Sequence, residues 1–554
     1  MSSAAIAASG TPAESAASTL ATIAAHRFGY GVRPGEAPAA DAAALIAQVR
    51  RGVAEACPFP YDGIAGRRAS FAQFRALSEA QRQARRDGTV RLVGDRPVNP
   101  VQIGLAAAFL RDQHLKVQHA AASPNGFFER LASFWFNHFA VSAAKNPNMR
   151  LLVGLYEAEA LRPNLAGSFT PLLQAAVLHP AMLAYLDQSQ SIGPDSPVGL
   201  DRGRGLNENL ARELIELHTM GAGSGYSQQD VRAAALVLTG LDYNSWAFET
   251  TFRENRAEPG VHRVLGRDYG GPERRYGDVT ALLADLSGME ATRRHICRKL
   301  VVHFIADDPP PEVVEAMVAT WTASDGNLLS VYRTMLEHPR SWEQAGQKAR
   351  QPLDFVVASL RALDVPTEAL APLPANSAGA PAMETDPAQM AETPPGEADR
   401  AGEIAPPITA GSGSGMADPQ TVPGAVNMAA PPMTVAGGAG AVMAPTEDGR
   451  VPIRANPFSV AALQALGQPL WRPPSPAGWD EGLSAWITAS QLTQRIGWSH
   501  RLVARFGGDQ DPRALLGTVL ADAARDDTIE VVTRAPSRQA GLALLLGSPE
   551  FNRR

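Results

Sequence analysis

The sequence predicts a mainly α-helical fold: one large multi-helical body with a small β-hairpin and a long disordered insertion. Three observations predict it. Apolar residues make up 45% of the 554-residue chain, with Ala foremost among them; Ala and Leu lose little entropy in a helix. Apolar positions recur at helical spacing in segment after segment. One stretch, 366–450, has no aromatic residue and two basic ones, amid abundant Pro, Gly, Ala, Ser and Thr. Such a segment cannot bury enough apolar surface to offset its ordering entropy.

The elements follow in chain order. Residues 1–19 lack a basic start and a long apolar run, so they read as a disordered tail, not a signal peptide. Cytoplasmic location is the default expectation. Ordered patterning begins near Leu20, where "ATIAAHRFGYGVRPGEA" reads as a short helix ending in a turn with Gly29, Gly31 and Gly35. Helical patterns then run to about Met149, and further helices are expected over 168–187, 206–220, 227–239, 278–304, 310–323, 326–337 and 351–364. "DDPPPEVVEAM" (307–317) reads as a helix start with an acidic cap and prolines in the first turn. Asn244–Gly266 breaks the pattern, with two short alternating runs around Pro259-Gly260 that predict the β-hairpin.

The helical main body is therefore expected over 20–365 and the insertion over 366–457. A C-terminal helical part, 458–554, is expected to pack on the main body. It opens with a Pro-braced loop, "LGQPLWRPPSPAGW". Three helical runs end in His-Pro or Ser-Pro, which reads as capping punctuation rather than an internal repeat.

Composition excludes several classes. The net charge is −6, the pI about 6.0, and no basic stripe occurs, so nucleic acid is not an expected partner. Cys57 and Cys297 are too few for a disulfide framework or a cysteine zinc site. No apolar run reaches the ~20 residues of a membrane span. H-E-x-x-H, the P-loop, C-x-x-C, the nucleophile elbow and the dinucleotide fingerprint are all missing.

Two segments carry candidate chemistry. In "NENLARELIELHTMG" (207–221), Glu208, Asn209, Arg212, Glu213 and Glu216 share one helical face, while His218 sits on the apolar side. Glu208–Arg212 and Arg212–Glu216 are i,i+4 pairs of an ordinary solvated face. Glu213 and Glu216, at i,i+3, have a spacing suited to one metal or to acid–base work. In "FFERLASFWFNHFAVS" (127–142), His138 lies among aromatics and Asn137 on the more polar side. A buried neutral His must satisfy its ring N–H. His138 is thus either a bonded core histidine or a ligand or base facing the glutamate helix. His179 and His338 precede prolines and read as caps. His295 and His303 lie eight apart on a helix made basic by Arg293, Arg294, Arg298 and Lys299, which either pairs with the acidic helix or faces solvent.

Together, "HRFGYGVRPGE", "FWFNHFAVS", "LHPAMLAYLDQSQSIGP", "NENLARELIELHTMG", "YSQQDVRAAALVLTG", "HICRKLVVHFIADDPPP" and "LGQPLWRPPSPAGW" resemble the bacterial domain-of-unknown-function 1800 family, in family order and across nearly the whole ordered chain. The resemblance implies a predominantly helical protein without an assigned reaction. Its pattern maps onto Asn137, His138, Asn207, Asn209, Arg212, Glu213, Glu216 and His218. It also implies a possible partner from a sulfatase- or phosphatase-like family that often carries an export signal, and with it co-export.

Two functions are expected. One is an enzyme with a buried Glu/His/Asn/Arg site between helices. Glu213, Glu216 and His138 would be catalytic, and Asn207, Asn209 and Arg212 would bind a polar or anionic substrate. Any metal would be one divalent ion, with Glu213, Glu216, His138 and His218 as candidate ligands. Hydrolysis is favoured over redox chemistry, because no cofactor fingerprint is visible. The other is a non-catalytic partner or scaffold for an exported sulfatase- or phosphatase-like protein.

Overall fold

The computed structural model describes residues 20–370 and 460–554, except 91, 94–95, 98, 204, 245–246, 344–345 and 347, together with 373–374 and 453–454. The tail expected over 1–19 and the bulk of the insertion expected over 366–457 lie outside the described residues. Residues Thr367–Leu370 form a 3-10 turn, and the Leu370 side chain is buried.

The fold is mainly α-helical. A π turn, Ala24–Phe28, precedes α1 (Ala42–Ala54), α2 (Gly63–Arg86), α3 (Pro100–Ala122), α4 (Gly126–His138) and α5 (Met149–Tyr156), the last continued by a second π turn, Glu157–Leu161. Next come α6 (Phe169–Val177), α7 (Pro180–Tyr185), α8 (Pro197–Arg202) and α9 (Asn209–Glu213), which runs into a third π turn, Leu214–His218. After α10 (Gln228–Leu238) and four strands come α11 (Tyr276–Ser287), α12 (Glu290–Phe304), α13 (Pro311–Ala323), α14 (Leu328–Glu337) and α15 (Pro352–Ala362). Beyond the insertion lie α16 (Val460–Ala465), α17 (Leu483–Trp486), α18 (Ala489–Phe506), α19 (Pro512–Val519), α20 (Asp526–Thr533) and α21 (Arg538–Gly547).

Local chemistry sets most boundaries. Asp41, Asn99, Ser196, Asn327, Thr488 and Ser537 each accept a backbone N–H three residues on, and Ser227 with Asp230 makes a capping box. His179 and His338 cap as read: their Nδ1 atoms accept from Ala181 and Arg340 N–H. His179-Pro180 splits 168–187 into α6 and α7, and Gly288 separates α11 from α12. The acidic cap expected before α13 is absent. Pro310 occupies the cap position, and Asp307 instead pairs with Lys348 and accepts the Leu483 N–H. In the N-terminal turn Gly31 and Gly35 have φ of 83° and 81°, whereas Gly29 does not; there a Cβ would lie 2.9 Å from the Ala25 carbonyl.

The β region holds two hairpins where one was expected. β1 (Leu241–Asn244) pairs antiparallel with β2 (Glu249–Phe252), and β3 (Gly260–Val264) with β4 (Arg267–Gly271). Pro259-Gly260 leads into β3 and is not the hairpin turn. The turn is Leu265-Gly266, both with positive φ. Leu seldom occupies that conformation, so sequence chemistry does not flag it.

The described residues up to Leu373 and from Ile453 onward form one compact unit. Lys348 and Arg554 exchange backbone hydrogen bonds, and the Arg350 N–H donates to the Asn552 carbonyl. Buried ion pairs brace the body: Arg162 grips Glu129 at 2.6 Å, and Arg67 grips Asp112 at 2.7 Å. Glu157, on the second π turn, pairs with Lys116 and accepts the Trp471 indole N–H at 2.7 Å. Trp471 adopts φ 59° to reach it, which fixes the Pro-braced loop against α3 and α5.

Candidate functional site

The acidic helix is amphipathic as its sequence reads. Leu210, Ala211, Leu214, Ile215 and His218 are buried, and the polar face is half-buried. Its polar groups are occupied locally. Arg212 lies between Glu216 at 3.0 Å and Glu208 at 3.5 Å and also donates to Gln228. The Asn207 side-chain oxygen Oδ1 accepts the Asn209 N–H, one of the donors a helix start leaves unpaired. The two side-chain amides donate to the Asp187 and Leu186 carbonyls. Asp187 has φ 57°, so both asparagines pin a left-handed turn. Burial raises the Glu213 pKa, and the Glu216 charge adds to the shift against Arg212.

The histidines belong to a different assembly. His138 ends α4 and is 1% exposed. Its Nε2 donates to the His218 carbonyl at 3.2 Å, which leaves Nδ1 as a bare acceptor with no partner. His295, on α12, donates likewise to the Leu217 carbonyl at 3.2 Å. Both acceptors sit where the third π turn ends and carbonyls lack intrahelical donors. The His138 ring centroid is 6.0 Å from that of His218 and 6.3 Å from that of His295. Neither ring nitrogen of His218 has a partner. Burial, then Lys299, holds all three imidazoles neutral: His218 is lowered to about 3 and His295 to about 4, and His138 falls well below its ordinary value.

His138 and His295 line a cavity of about 150 Å³ with Phe134, Asn137, Arg298, Lys299, Val302 and Glu481. Among the described residues Lys299 has no hydrogen-bond or ion-pair partner, although burial lowers its pKa and Glu481 only partly restores it. Glu481 is held elsewhere: its Oε1 accepts from His303 Nδ1 at 2.8 Å and its Oε2 from Gln351 at 3.2 Å. Asn137 fixes the far wall. It donates to the Trp479 carbonyl at 3.0 Å and accepts the Trp479 N–H at 2.6 Å. The cavity is thus lined by neutral imidazoles, the Lys299 side chain and the Glu481 carboxylate, with Arg298 exposed at its rim, a set that can transfer protons.

The structure brings together His138, His218 and His295 but leaves Glu213, Glu216, Asn207, Asn209 and Arg212 outside the cavity lining. Among the described residues, no group of three or more His, Cys, Asp or Glu is arranged to hold a metal ion, so Glu213, Glu216, His138 and His218 do not converge as ligands. Among the described residues no ion pair joins the basic helix to the acidic one; His295 bonds the Leu217 carbonyl, and Arg294 pairs with Glu290 and Glu315. Glu481 carries no sequence signal beyond its place just after the Pro-braced loop. Lys299 reads in sequence as one charge among several.

Among the described residues no helix is long and apolar enough to cross a membrane. No curated protein and no solved structure matches the chain. The family model described as "Protein of unknown function (DUF1800)" matches residues 23–553. The segments "FWFNHFAVS" and "HICRKLVVHFIADDPPP" supply seven of the eight cavity-lining residues, and "LGQPLWRPPSPAGW" is bonded to Asn137 beside them. The chain belongs to the DUF1800 family.

Proposed function

We propose that this protein is an enzyme acting by acid–base chemistry on a small anionic molecule held in the Lys299 cavity. The supporting observation is that the half-buried, partnerless Lys299 amine and the buried, unbonded Nδ1 of His138 belong to residues lining one cavity. A dry cavity of about this size accommodates a molecule of roughly six heavy atoms. Arg298 at the rim attracts the anion, and His138 serves as base. Oxalate and inorganic phosphate are the first probes. A saturable rise in melting temperature with either, lost in Lys299→Met, is the expected outcome. Absence of any shift in the wild type defeats the reading.

A second reading, a non-catalytic scaffold for an exported sulfatase- or phosphatase-like partner, is favoured by one observation. The polar groups of Asn207, Asn209 and Arg212 are occupied within this chain. Satisfied networks of this kind fix a fold. Under it, Lys299→Met changes stability and nothing else.

A further inference from the structure

Fifty basic residues occur in the chain, and only four are lysine: Lys116, Lys145, Lys299 and Lys348. Three of the four are ion-paired, Lys116 with Glu157, Lys145 with Asp187 and Lys348 with Asp307. Lys299 alone has no such partner. Arginine is the basic residue this chain uses most, as it does next door at Arg298. An arginine cannot lose its proton in a protein, whereas a desolvated lysine can. Desolvation lowers the Lys299 pKa against the opposing Glu481 charge, which makes its proton easier to lose.

We propose that Lys299 forms an imine with a small 2-oxo acid bound in this cavity. The proposal rests on the acid–base reading of the same site and names its substrate class. The Nζ lone pair adds to the keto carbon, and a C–N bond forms. The keto oxygen then leaves as water and carries away the two amine protons. His138 Nδ1 is the free acceptor that shuttles a proton from the adding nitrogen to the departing hydroxyl. Arg298, which has no ion-pair partner among the described residues, takes the substrate carboxylate as a two-pronged donor. Glu481 is bonded to His303, Gln351 and Asn137, and its charge offsets the desolvation of the amine only in part. A lysine desolvated next to a cationic group is a recognised way to make such a nucleophile.

The test uses the full chain with glyoxylate or pyruvate and sodium borohydride, which adds hydride to an imine carbon and makes the link permanent. Intact mass and peptide mapping locate the adduct. The expected result is label at Lys299 in preference to Lys116, Lys145 and Lys348, with loss of that label in Lys299→Arg. Oxalate, which has the charge but no keto group, is expected to protect. Equal labelling of all four lysines, or none at Lys299, overturns the imine. If oxalate or phosphate still raises the melting temperature while no adduct forms, the imine falls and the acid–base pocket stands. If neither occurs, both fall. Mapping the wild type decides the matter even if Lys299→Arg fails to fold.

Discussion

The acidic helix and the Lys299 cavity contain the same kinds of residue and use them oppositely. Around Arg212 the charges of Glu208, Arg212 and Glu216 have partners on their own helix or on α10, at partly exposed positions. Around Lys299, itself half-buried and partnerless, His138 Nδ1 and both His218 nitrogens lack partners at buried positions. Polar groups left unpaired in the interior cost more than satisfied surface pairs contribute. A fold tolerates them where something other than stability is at stake. A crowd of charges in the sequence therefore marks the less eventful region.

The comparison breaks most visibly at Asn137. Asn137→Leu removes both bonds to Trp479 and strands its backbone groups. About 2–4 kcal/mol of destabilisation is expected, read by urea denaturation. A loss below about 0.5 kcal/mol would mean that the cavity wall is not held this way.

Acid comes next. His26 and His218 are lowered to about 3, and His295 to about 4, in each case chiefly by burial. Between pH 6.5 and 4 the unfolded chain therefore binds protons that the folded one refuses. Stability rises with pH across that window and falls as pH drops through it, by about 1.4 kcal/mol per pH unit for each histidine. His218→Phe is expected to flatten this slope while leaving stability near pH 7 little changed. Thermal melts over the window measure both, and an unaltered slope refutes the assignment.

Two smaller effects sharpen the contrast. Asn207→Ala removes the acceptor for the Asn209 N–H and is expected to cost about 1 kcal/mol without altering oxalate binding. Arg212→Ala breaks two exposed i,i+4 pairs and is expected to cost about 0.5 kcal/mol, also in urea. If Arg212→Ala or Glu213→Gln abolished anion binding, the contrast between the two regions would collapse.

The sequence discloses the fold class because helix periodicity and capping are local. Asp41, Ser227 and Asn327 announce their helices, and the aromatic face of α4 announces that His138 is buried. It does not disclose the cavity. A helical wheel shows only what one helix does, and the cavity draws on α4, α12 and Glu481, from chain positions far apart. Lys299 sits in a run of arginines and looks like solvated charge. The second hairpin was hidden for a related reason, because its turn depends on a leucine in a conformation set by its surroundings.

The third π turn bears on tolerance to insertion and deletion. Such a turn accommodates one residue more than the α-helix around it would. Removing a single residue from Leu214–His218 would leave the composition of the helix almost intact while rotating everything after it by about 100°. The Leu217 and His218 carbonyls would then no longer meet His295 and His138. Across related chains this five-residue stretch is thus expected to vary in side chain far more readily than in length.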